Sequence, residues 1–141
     1  MPELTVDLGA QQKPYVPAGN YVWEVAKVTV KTVKGDDTRR MATPSLRLIA
    51  PEDFAGARPQ YHNLMIDDKD SRWALELFLN ALGLPIPTDP EERKNYKLNT
   101  DEWVGRQCVG AVVVNEGYNN NNFTAFRPLG GNVALGPSVA V

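Results

Sequence analysis

The chain has 141 residues, 43% of them hydrophobic, with a formal net charge of -2 and a pI near 5.4. That describes one globular domain able to bury a core without staples, and it excludes a surface that attracts polyanions as a whole. A single cysteine, Cys108, and a single histidine, His62, exclude an intramolecular disulfide and a Cys/His metal cluster.

Residues 1–16 lack periodicity and read as an N-terminal arm, either loose or packed on a neighbour. The domain is expected over residues 17–129. From Asn20 to Val33, "NYVWEVAKVTVKTV" alternates like a strand, but Tyr21, Trp23 and Val25 are out of phase with Ala26, Val28 and Val30. A bulge near Glu24 to Ala26 accounts for the phase change. "KGDDTRR" reads as a turn, "PSLRLIA" as a second strand and "PQYHNLMID" as a third. The period then becomes helical, with Ala74, Leu77, Phe78, Ala81 and Leu82 on one face, a start at Asp70 or Ser71, and a stop at Gly83 and Pro85. "PIPTDPEERKNYKLNTDEW" reads as an exposed connection with one helical turn at Pro90 to Lys94. Cys108 to Val114 forms a fourth strand covered on both sides and "NFTAFRPL" a fifth, with residues 130–141 as a tail of small residues.

Three strands, a helix and two strands match the order of a mainly β fold, the five-stranded Greek-key barrel known as the OB-fold, with its helix between strands 3 and 4. A long, bulged first strand fits, because it must bend to pair with two neighbours.

Enzyme signatures are missing. "GRQCVG" and "LGGNVALG" have neither the spacing nor the Lys-Ser/Thr of a phosphate-binding loop, and nothing places a nucleophile beside His62. No catalytic residue, cofactor or metal is therefore assigned. The carboxylates of "DDKD", Asp67 to Asp70, read as stabilising the start of the helix rather than as a cation site. Cys108 reads as a small buried hydrophobe, and Trp73 and Trp103 as packing residues.

Charge is unevenly distributed. Between Lys27 and Arg47 stand six basic residues (Lys27, Lys31, Lys34, Arg39, Arg40, Arg47) and two acidic ones, whereas Asp67 to Glu102 holds nine acidic and five basic. A positive side and a negative side are expected. Lys27 and Lys31 share a strand face that Arg47 joins from the next strand. Such cations suit phosphates, and aromatic platforms at Trp23, Tyr61, Tyr118 and Phe123 would stack bases. Phe126 is expected to face opposite to Phe123. Arg58, Arg127 and Asn120 complete the candidate set. Asn119 to Asn122 read as a hairpin turn between the last two strands, a loop that commonly closes over a ligand in this fold.

Taken together, "VPAGNYVWEVAKVTVK", "LRLIAPEDFAGARPQYHNLMID", "WALELFLNALGLP" and "WVGRQCVGAVVVNEGYNNNNFTAFRP" resemble a family of small phage-encoded proteins of replication and recombination modules. The resemblance rests on Gly19 and Tyr21 opening the first strand, Phe78 to Leu84 ending the helix, Gly105 and Arg106 before the fourth strand, and the final aromatic hairpin. It spans roughly residues 15–130. It implies a non-enzymatic OB-fold protein that coats single-stranded DNA with little sequence preference in the host cytoplasm, with phage or host replication and recombination proteins as partners. Self-association is compatible with this, and a membrane is not expected, since no apolar run reaches the ~18 residues of a span. The competing reading is a structural or protein-interaction β-barrel module, such as a virion component, suggested by the apolar tail and the arm.

Overall fold

The computed structural model describes residues 3–8, 14–33, 35–131 and 133–138. Strand β1 (Gly19–Val33) and strand β2 (Asp36–Ala50) form a long antiparallel ribbon. It reverses at Gly35, whose φ of +85° lies where glycine meets no steric penalty. Most of "KGDDTRR" is thus strand rather than turn, with Thr32 opposite Arg40 and Val33 opposite Asp36. The ladder is irregular there, since one step along β1 from Thr32 to Val33 carries the opposite strand from Arg40 to Asp36.

The bulge expected in β1 is present. Val25 opposes Leu46 and Lys27 opposes Ser45, so Ala26 is the extra residue. Ahead of it Tyr21, Trp23 and Val25 are buried; beyond it Val28 and Val30 oppose Pro44 and Ala42, while Lys27, Thr29 and Lys31 form the outer row.

The third strand is split into β3 (Gln60–Tyr61) and β4 (Leu64–Met65), both paired with β2. Helix α1 (Arg72–Ala81) follows and stops where Gly83 takes a φ of +80°. Two overlapping apolar stripes satisfy helical spacing here, and the one used is Leu75, Phe78, Leu79 and Leu82. Leu77 and Trp73 are exposed, contrary to expectation, because the stripe used packs Phe78 against Trp103 and Phe126 and carries Leu75 and Leu79 into the same core. Ser71 makes no side-chain cap. Helix α2 (Pro90–Lys94) forms where expected, with proline in its first turn and Asp89 Oδ2 accepting from Glu92 N at 3.2 Å.

Strands β5 (Gln107–Asn115) and β6 (Asn120–Arg127) pair across a turn at residues 116–119. Only Asn119 of the asparagine run lies in that turn, in the left-handed region at φ 51°, and Asn120 to Asn122 are already strand. The tail contributes β7 (Gly136–Pro137), which pairs with Gly19 and Asn20.

The result is mainly β: one open antiparallel sheet ordered β3-β2-β1-β5-β6, with β4 also on β2, β7 also on β1, and a short helix covering the core. Among the described residues no ladder joins the outer strands β3 and β6; side chains bridge them instead. Gln60 Oε1 accepts from Asn121 N at 2.9 Å, and Gln60 Nε2 donates to Pro14 O and Arg58 O. Asn121, fully buried, accepts from Val16 N through Oδ1 at 2.9 Å and donates through Nδ2 to Val16 O and Val113 O. The arm is thereby anchored at Val16.

Candidate functional site

The outer face of the β1–β2 ribbon, extended by β3 and β4, collects most of the exposed candidates. Residues directly opposite in an antiparallel pair share a face, so the register defines its rows. Lys27 opposes Ser45, which opposes Tyr61; Lys31 opposes Met41, which opposes Met65. Between these rows Thr29 opposes Thr43, whose hydroxyl hydrogen-bonds Asn63 Oδ1 at 2.8 Å. Two strand spacings put Lys27 and Tyr61 about 10 Å apart, and successive rows lie about 7 Å apart along the strands.

Tyr61 is 66% exposed on this face, and Tyr118 is 79% exposed in the β5–β6 turn. Arg58, three residues before Tyr61, donates through Nη2 to Asn119 O at 2.9 Å. That bond ties the β5–β6 turn to the segment entering β3. One strip therefore carries Lys31, Lys27 and Tyr61 and ends near Arg58 and Tyr118.

Several candidates lie elsewhere or are already engaged. Trp23 is fully buried, its Nε1 donates to Gly110 O at 3.2 Å, and Phe123 packs edge-on against it at 4.9 Å. It cannot stack on a base. Phe123 is itself half-buried. A second bulge leaves Val112 opposite Phe123 but Ala111 opposite Ala125, so Thr124 is the extra residue and Phe123 and Phe126 share the inner face. Their rings stack at 5.1 Å instead of facing apart. Arg127 stands at the other end of β6 from the Tyr118 turn, seven steps or about 23 Å away. Asn120 is half-buried at the start of β6, with its Oδ1 enclosed and unpartnered among the described residues. Lys34 lies outside the described residues.

The expected segregation of charge is also reversed at its centre. Arg39 meets Asp68 at 2.6 Å and Arg40 meets Asp67 at 2.9 Å, each through a two-nitrogen fork. Those guanidinium groups hold both carboxyls below the ordinary aspartate range. The carboxylates of "DDKD" thus clamp β2 to the loop before α1, and neither Asp67 nor Asp68 caps a helix through its side chain. Arg47 is likewise paired with Glu24 at 3.0 Å. The positive face is reduced to Lys27 and Lys31, with Arg58 at its end.

His62 sits half-buried between β3 and β4, edge-on to Phe123 and Phe126, and burial lowers its pKa. Burial pushes the Cys108 thiol up to about 12, so it stays protonated at neutral pH. Among the described residues no group of three or more His, Cys, Asp or Glu side chains is placed to hold a metal ion, and no helix is long and apolar enough to cross a membrane.

The sequence reading missed a groove of about 950 Å³ between the inner side of the ribbon at Val30, helix α1 and the α2 connection. Leu75, Leu79, Ile86 and Leu98 line it, with Lys94 and Lys97 at its edge. Its residues come from four separate segments, so no local pattern announces it. Searches against models of known protein families and against curated proteins returned no match.

Proposed function

We propose that the chain is a non-enzymatic single-stranded-DNA-binding protein whose contact surface is the outer β1–β2–β3 face, serving to coat or protect DNA in phage replication or recombination. The observation that carries this reading is the row Lys27–Ser45–Tyr61: an exposed cation and an exposed aromatic ring in register across three strands. A lysine supplies the phosphate contact and a tyrosine ring the sequence-tolerant stacking that single strands require. The strand order, with β1 central and β3 and β6 bridged by Gln60 and Asn121, supports assigning the sheet to the OB class, in which this face and the β5–β6 loop form the ligand surface. Tyr118, on that loop and next to Asn119, would close the strip at one end. Few free cations lie along it, so modest affinity and a shallow salt dependence are expected.

The test is a fluorescence anisotropy titration of labelled oligo-dT, and of the matching duplex, at two salt concentrations. Binding of the single strand at micromolar protein, weakened by salt and stronger than for the duplex, is the expected result. No binding at low salt, or equal binding of the duplex, would overturn the proposal.

A further inference from the structure

We infer that β1 pairs edge to edge with β1 of a second copy of this chain, antiparallel and in a register that sets Val30 opposite its own counterpart. In an antiparallel ladder each residue turns its backbone N–H and C=O toward one neighbouring strand, and successive residues alternate. On β2, Pro44 and Arg40 face away from β1, since their carbonyls accept from His62 N at 3.3 Å and from Ile66 N at 2.9 Å. These two oppose Val28 and Thr32. Val28 and Thr32, with Val30 between them, therefore aim their backbone groups at the other side of β1.

On that side the sheet has already ended. The ladder to β5 stops at Glu24 opposite Gln107, and the last bonds across it run from Val25 N to Arg106 O at 2.9 Å and from Gly105 N to Val25 O at 2.8 Å. Among the described residues nothing bonds the outward N–H and C=O groups of Val28, Val30 and Thr32. An edge of this kind is a template for another strand.

The composition of the edge matches a second copy in one register. With Val30 facing Val30, Val28 faces Thr32 in both directions, and all the outward groups are used, because each such pair exchanges both its hydrogen bonds. A slip of two residues either way leaves Val28 or Thr32 unmatched. Lys31 then faces Thr29 and Lys27 faces Val33, so no lysine stands directly opposite a lysine. Val30, 47% exposed, covers its counterpart across the seam. A two-fold axis through that seam consumes both edges, so the assembly closes at a dimer with the outer faces of the two ribbons side by side.

The inference stands apart from DNA binding and is tested without DNA. Sedimentation velocity of the full chain should show a concentration-dependent equilibrium between monomer and dimer. Val30→Pro should lower the association constant about tenfold or more and leave the urea midpoint close to the parent's, because the N–H it removes makes no bond within its own chain. Val30→Cys should oxidise to a covalent dimer, since directly opposite residues of a hydrogen-bonded pair have Cα atoms about 5.5 Å apart, within disulfide reach. Thr32→Cys should not, because its own counterpart lies four steps further along the seam, about 13 Å away. The parent, whose Cys108 is buried, is the control. A monomer at every concentration, association unaffected by Val30→Pro, or equal crosslinking of the two cysteine variants would overturn the inference.

Discussion

Replacing Asn121 by alanine should destabilise the domain by about 3 kcal/mol. The side chain is fully buried and makes three hydrogen bonds, to Val16 N, Val16 O and Val113 O, at 2.9, 2.9 and 3.1 Å. At a net ~0.5–1.5 kcal/mol each, their sum is roughly 1.5–4.5 kcal/mol. The upper half of that range is favoured because truncation leaves backbone groups of Val16 and Val113 without their partner. Set against a typical stability of ~5–15 kcal/mol, this is a large fraction. It corresponds to a fall in melting temperature of about 10 °C. Urea unfolding followed by tryptophan fluorescence reports it well, since Trp23 and Trp103 are both buried. The expected outcome is a lower midpoint with an unchanged slope. Asn122→Ala, one residue along and exposed, should lie within about 0.5 kcal/mol of the parent. A loss below about 1 kcal/mol for Asn121→Ala, or equal losses for the two variants, would refute the reasoning.

Tyr61→Ala should weaken oligo-dT binding roughly tenfold, as for the loss of one stacked base, and leave the urea midpoint unchanged because the ring is exposed. Lys27→Ala with Lys31→Ala should flatten the slope of log affinity against log salt by about 1.4, as for two lost phosphate contacts on a single strand. The Asp67 and Asp68 carboxyls have depressed folded-state pKa values, so their pairing with Arg40 and Arg39 stabilises the fold above pH ~3.8 and is lost as pH falls through the lower folded values. Urea midpoints measured from pH 7 down to 2.5 should therefore fall less steeply at the acid end for Arg39→Gln with Arg40→Gln than for the parent. Cys108 should resist a thiol reagent at pH 8 and react at the rate of opening, so that labelling across a urea series follows fluorescence unfolding. Rapid labelling of the folded protein would contradict its burial.

What could be read directly from the sequence was what local chemistry decides. The phase change in "YVWEVAKV" located the β1 bulge, Gly83 marked the end of α1, and the helical turn expected at Pro90 to Lys94 coincides with α2. The errors arise where two distant segments meet. Arg39 and Arg40 read as free cations because Asp67 and Asp68 lie 27 to 29 residues further along, and only the fold brings them together. Phe123 and Phe126 read as facing apart because the bulge at Thr124 leaves no mark in its own composition. Both stripes of α1 are apolar, and the choice between them depends on where Trp103 and Phe126 stand. Of the proposed contact surface, Lys27, Lys31 and Tyr61 were recognisable as residues, but their meeting in one strip follows from register alone.

The extra residue in β1 is surplus to the ladder. Because Val25 opposes Leu46 and Lys27 opposes Ser45 on either side of Ala26, deleting it would leave ordinary alternation from an inward-facing Val25 to an outward-facing Lys27, with Val28 and Val30 still on the inner side. A one-residue change elsewhere in β1, with the bulge retained, would instead exchange the two faces beyond it. A lineage that keeps this sheet can therefore lose the Ala26 position and still hold Lys27, Thr29 and Lys31 on the outer face.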